Sequence, residues 1–116
     1  MVVNTRLVRH RKSLDNRQLQ AVADLFAVLS EPTRLRILQH LQRAPATVSE
    51  LVQQLDIKQA NASKQLGILH HAGVLARDKE GTQVRYSIRM PLIFELCALV
   101  CDGLRREAEE EARALR

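Results

Sequence analysis

No run of apolar residues in this 116-residue chain approaches the ~18 that a membrane-spanning helix requires. The opening MVVNTRLVRHRK also lacks the apolar centre of a signal peptide, so a cytoplasmic location is expected. There is no Gly-rich phosphate loop, no His-x-x-x-His and no Gly-x-Ser-x-Gly, and the acidic residues scatter along what read as helix exteriors. A catalytic pocket is not expected from such a set, and the chain is read as a non-enzyme. Nor does a Gly/Ser-rich linker or an internal repeat divide it. The length leaves room for one domain with a modest core, for which burial against a second copy would be welcome.

What the chain has is positive charge. The formal net charge is +5 and the isoelectric point about 9.9, which favours a polyanionic partner. The charge is uneven: Arg6, Arg9, Arg11, Lys12 and Arg17 crowd the start, and Glu107, Glu109, Glu110 and Glu111 crowd the end. The expected organisation is a basic, disordered arm over 1–15, a folded domain over 16–106 and an exposed helical tail over 107–116. The arm is suited either to DNA backbone or to no role at all.

The centre of the chain carries the strongest pattern. Thr47 with Glu50 three residues on signals a capped helix start, and Val48, Leu51, Val52 and Leu55 then form one apolar stripe. Asp56-Ile57-Lys58 is long enough for a turn but too short for an antiparallel return, so the next helix crosses steeply, as in a helix-turn-helix. On that second helix Ala62, Gln65, Leu66 and Leu69 share one side, and Ala60, Ser63, Lys64, Gly67 and His71 the other. The small residues of the outer side allow close approach to a DNA major groove, while Gln59, Asn61 and Lys64 supply hydrogen bonds for base edges. The plainer alternative is a solvated face, with Gly67 relieving a helix crossing.

Gly73 then ends the helix, and two runs, Val74–Arg77 and Gln83–Ile88, flank the polar connection 78–82. Val84, Tyr86 and Ile88 alternate with Gln83, Arg85 and Ser87, so one face of the second strand meets a core. This hairpin reads as a wing whose Arg77, Lys79, Gln83 and Arg85 suit phosphates or a minor groove; a soluble charged edge is the alternative.

These residues resemble the ArsR/SmtB family of winged-helix repressors. The likeness rests on SEPTRLRILQHL at 30–41, NASKQLGILHHAGVL at 61–75 and the VRYSI strand, and spans roughly residues 17–102. In the first of these segments Ser30 is expected to cap a helix, Pro32 to sit in its first turn, and Leu35, Leu38 and Leu41 to form the buried stripe. The resemblance implies a mainly α winged helix-turn-helix of about five helices plus a β-hairpin, dimeric through its terminal helices. It further implies a repressor on an imperfect palindrome, released by an inducer. By position, DNA-reading residues fall on Gln59, Asn61, Ser63, Lys64 and Gln65, and wing contacts near Arg77, Lys79 and Arg85. A winged-helix module for protein interaction, or a regulator blind to any inducer, is the alternative.

Two helical segments look built for association. Asn16–Leu29 aligns Leu19, Val22, Ala23, Phe26 and Leu29, and Pro91–Leu115 opens with apolar residues over more than half its circumference, a face wide enough to serve both the core and a partner subunit. The thiol and histidine pairs of the family's metal sensors have no counterparts here: residues 47–51 and the EPTR helix contain no cysteine. None of His10, His40, His70 and His71 lies on the last helix. Cys97 and Cys101 share a helix face with Phe94, Leu104 and Ala108. Three readings stay open for them: core residues, oxidisable thiols, or a chelating pair for a soft ion such as As(III), Cd(II), Cu(I) or Hg(II) with a third ligand from the dimer.

Overall fold

The computed structural model describes residues 12–115, so Arg6, Arg9 and Arg11 of the expected basic arm lie outside the described residues. Helix α1 spans Asn16–Leu29 and opens with a reciprocal cap that the sequence reading missed. Asp15 Oδ1 accepts from the Gln18 N–H at 2.8 Å, and Gln18 Oε1 accepts from the Asp15 N–H at 2.9 Å.

Helix α2, Pro32–Leu41, departs from expectation twice. Its N-cap is Glu31, whose Oε2 accepts from the Arg34 N–H at 2.9 Å. Ser30 instead closes α1, its hydroxyl donating to the Ala27 carbonyl at 2.7 Å. The backbone decides between them: Glu31 is extended, as an N-cap must be, whereas Ser30 has nearly helical angles. The buried stripe is Ile37, Leu38 and Leu41, and Leu35 is left 44% exposed. Residues spaced by three drift round a helix, so Leu35 stands about 120° from Leu41 and cannot share its inward direction.

A two-residue strand β1, Ala46–Thr47, leads into α3, Val48–Leu55. Thr47 caps α3 by accepting from the Glu50 N–H at 3.2 Å. The Glu50 carboxylate does not return the bond to the cap backbone but takes the Thr47 hydroxyl, also at 3.2 Å. The turn to α4, Gln59–His71, is set by Asp56 in the left-handed region at φ 51° and by half-buried Ile57. Helix α4 ends in a Schellman turn: Gly73, at φ 81°, donates to His70 O at 3.0 Å and Val74 donates to Leu69 O at 3.0 Å.

The hairpin follows as β2, Leu75–Glu80, and β3, Gln83–Ile88. Strand β2 runs three residues past the expected Arg77, because Gly81 at φ 63° permits a two-residue turn that pairs Glu80 with Gln83. The sheet is antiparallel in the order β1-β3-β2. Helix α5, Leu92–Ala114, closes the described chain.

Ile37, Leu38, Leu51, Leu66, Leu69, Leu75 and Ile93 form the fully buried centre, drawn from α2 to α5 and the sheet. Helix α1 buries only Leu29 and α5 only Ile93, while Phe26 on α1 and Leu99 on α5 remain 56% and 57% exposed. The two terminal helices thus offer apolar surface that this chain does not cover.

Candidate nucleic-acid interface

Helix α4 is held by its inner side and left bare on its outer side. Ala62, Leu66 and Leu69 are fully buried, whereas Gln59, Ala60, Ser63, Lys64, Gly67 and His71 are exposed. A Cβ built on Gly67 meets nothing within 4 Å, so this glycine relieves no helix crossing within the chain. The outer side is small, polar and unencumbered, the surface a major groove admits.

Two of the sequence-derived reading positions are not on that surface in the same way. Gln65 is only 7% exposed and faces inward. Its Oε1 accepts from Arg34 Nη1 at 2.8 Å, and its Nε2 donates to Asn61 Oδ1 at 3.1 Å. Gln65 therefore does not reach base edges; the helical periodicity, which put it with Leu66 and Leu69, outweighs the position implied by resemblance. Asn61 is half-buried at the start of α4, with its oxygen engaged by Gln65. Arg34, which the sequence reading did not single out, also donates from Nε to the Val28 carbonyl at the end of α1. Only its place in the EPTR segment could have drawn attention to it.

The wing sorts its charges by face. Strand register pairs Arg77 with Tyr86 and Lys79 with Val84, so these two cations share the side of the sheet that carries the core residues. Asp78 and Glu80 pair with Arg85 and Gln83 on the opposite side. Arg85 is consumed there: its Nε lies 3.0 Å from Glu80 Oε2 and its Nη1 lies 3.3 Å from Glu50 Oε1. Glu80 first, and Glu50 after it, raise the guanidinium's pKa above its ordinary value. Arg77 and Lys79 are exposed and form no ion pair with another described residue. A shallow polar cleft lined by Thr47, Ser49, Gln59, Thr82 and Gln83 joins the starts of α3 and α4 to the wing tip.

The cysteines lie elsewhere, on an open groove between α2 and α5 lined also by Leu35, Arg36, Gln39, Gln42 and Asp102. Cys97 is half-buried, and Cys101 is exposed rather than packed in the core. Burial, with Cys101 adding to it, pushes the Cys97 thiol above its ordinary pKa. Among the described residues no three His, Cys, Asp or Glu side chains cluster to hold a metal ion.

Comparison with known proteins bears on both the fold and this surface. Residues 29–78 match the family model described as a helix-turn-helix domain. The chain is 36% identical over 94 residues to the uncharacterized HTH-type transcriptional regulator Rv0081 of Mycobacterium tuberculosis, covering 80% of this chain and 82% of that protein. The crystal structure of Rv0081 superimposes with a TM-score of 0.72 at 35% identity over 86% of this chain and 99% of that one. A biofilm growth-associated repressor of Agrobacterium fabrum is 36% identical over 84 residues, 69% of this chain and 72% of that protein. A homodimeric winged helix-turn-helix DNA-binding domain from Mycobacterium bovis, titled a possible ArsR-family regulator, gives a TM-score of 0.71 at 26% identity, covering 82% of this chain and 91% of that one.

Proposed function

This chain belongs to the ArsR/SmtB family of winged helix-turn-helix transcriptional regulators, and from that premise we propose that it acts as a homodimeric repressor on an imperfect palindrome in its target promoter. The observation that carries the reading is the exposed outer side of α4, small and polar from Gln59 to Gly67, beside the unpaired Arg77 and Lys79 of the wing. Gln59, Ser63 and Lys64 read base edges in this account, with Asn61 at the margin of the groove. Arg77 and Lys79 meet phosphates, which fix position without reading sequence. The uncovered apolar faces of α1 and α5 pair across a two-fold axis and set the two α4 helices in successive major grooves. A cytoplasmic place of action and the absence of catalysis go with this reading.

The thiols fit an inducing soft ion only in part. Cys97 and Cys101 supply two soft donors on one groove, and a third would have to come from the partner subunit. The test is a titration of reduced protein against its own upstream DNA and a scrambled duplex, repeated with arsenite, Cd(II) and a mild oxidant. Specific binding is expected, and Gln59→Ala or Lys64→Ala should weaken it by about 1–3 kcal/mol while sparing the scrambled duplex. Equal affinity for both duplexes in the wild type would favour an interaction module instead. Release by one additive, lost in a Cys97→Ser/Cys101→Ser variant, would place the inducer on the thiols.

A further inference from the structure

Arg34, Gln65 and Asn61 form a chain of side-chain hydrogen bonds that runs from α2 to the DNA-facing start of α4. Its direction is fixed by chemistry. Arginine has donors only, so the atom facing Arg34 Nη1 at 2.8 Å has to be the carbonyl oxygen of Gln65. The amide nitrogen of Gln65 is thereby turned to Asn61, and only the oxygen of Asn61 can receive it, at 3.1 Å. Reversing either amide would bring donor against donor in a place where Gln65 is only 7% exposed and water is scarce. No buried side-chain nitrogen or oxygen among the described residues lacks a partner, so the chain is fully satisfied in this one polarity. The Asn61 nitrogen has no partner among the described residues.

We propose that Arg34 and Gln65 are positioning residues that lock the polarity of Asn61, so that Asn61 presents donors to DNA and selects an acceptor edge. The proposal rests on the DNA-reading role of α4 given above. In the major groove, guanine offers N7 and O6 as adjacent acceptors and thymine offers O4. Adenine's two-bond match with asparagine needs the amide oxygen as well as the nitrogen, and here that oxygen is held by Gln65. The anchor of the chain is itself tied down, since Arg34 Nε donates to the Val28 carbonyl where α1 ends. The same arginine thereby joins the end of one terminal helix to a base-reading side chain.

The test is selection of bound duplexes from a randomised library by wild type, Asn61→Ala and Gln65→Glu. The wild type should prefer guanine or thymine at one position per half-site, and Asn61→Ala should lose that preference while keeping the others. A carboxylate at 65 accepts from Arg34 and has no donor for Asn61, which must turn its nitrogen inward and offer its oxygen outward. Gln65→Glu should therefore move that one position to adenine or cytosine, the bases with an exocyclic amino donor, and leave the rest of the site unchanged. If Gln65→Glu does not fold, Gln65→Leu frees the Asn61 amide and should let adenine in beside the wild-type base. The inference is overturned if Asn61→Ala changes no position, if the position it flattens is adenine in the wild type, or if the substitution at Gln65 leaves that base as it was. Loss of all sequence preference in the wild type would overturn the DNA-reading role along with it.

Discussion

Arg85 on β3 and Glu50 in the first turn of α3 meet at 3.3 Å, latching the wing to the helix-turn-helix. With Glu80 on the other side of the guanidinium at 3.0 Å, the positive charge of Arg85 is balanced within the chain. Arg77 and Lys79, on the opposite face of the hairpin, are not balanced in this way.

This arrangement separates three cations that look alike in the sequence. Arg77→Ala and Lys79→Ala should each flatten the dependence of log K on log salt by about one unit, as expected when a phosphate contact is removed. Arg85→Ala should leave that slope nearly unchanged but loosen the hairpin, seen as faster amide exchange in β2 and β3. A salt slope that falls for Arg85→Ala as much as for Arg77→Ala would mean that Arg85 leaves its acidic partners for DNA.

The same contrast marks the boundary of what the residues alone disclose. Short-range signals were legible: the Thr47 cap, the three-residue turn, the inward set Ala62, Leu66 and Leu69, and the helix end at Gly73 all follow from spacing and backbone preference. Choices settled by packing were not. Nothing in an isolated pattern tells whether Leu35 or Ile37 turns inward on α2, and Ser30 is as good a cap by composition as Glu31 until the backbone angles are known. The short strand β1 has too few residues for any periodicity. The inward turn of Gln65 was visible in the helical period, but its partner Arg34 is 31 residues away in sequence, and no local rule joins them.

The uncovered apolar faces make a prediction about assembly. Phe26 and Leu99 are each more than half exposed, at 56% and 57%, yet lie on helices that also touch the core. Charged substitutions there, Phe26→Glu or Leu99→Glu, should leave far-UV circular dichroism intact and convert a dimer to a monomer in sedimentation velocity. Operator binding should fall steeply with dimer loss, because a monomer fills one half-site only. A variant that stays dimeric would move the interface away from these helices.

Acid should loosen the start of α2. The backbone N–H groups of Thr33 and then Arg34 hold the Glu31 carboxyl below its ordinary pKa of 4.5. A carboxyl depressed in the folded state stabilises it fully above the unfolded-state pKa and loses that effect as pH falls through the folded value. Glu31→Gln keeps an acceptor for the cap but removes the titration. The urea midpoint of the wild type should therefore exceed that of Glu31→Gln near about pH 6 and converge on it towards about pH 3. A constant gap across that range would assign the difference to packing rather than charge.

Gly67 offers the sharpest separation of folding from binding. It stands in the middle of α4, is exposed, and has room on all sides for a methyl group. Glycine inside a helix is about 1 kcal/mol less favourable than alanine, so its presence costs stability that no contact within the chain returns. Gly67→Ala should accordingly raise the urea midpoint by an amount near that value. The added methyl would project from the side of α4 assigned to the groove floor, and specific DNA affinity should fall while stability rises. Opposite signs in the two measurements are what a groove-facing glycine requires. A Gly67→Ala protein that is more stable and binds its operator as tightly as before would remove the outer side of α4 at this level from the interface, leaving only the first turns of the helix in contact with DNA.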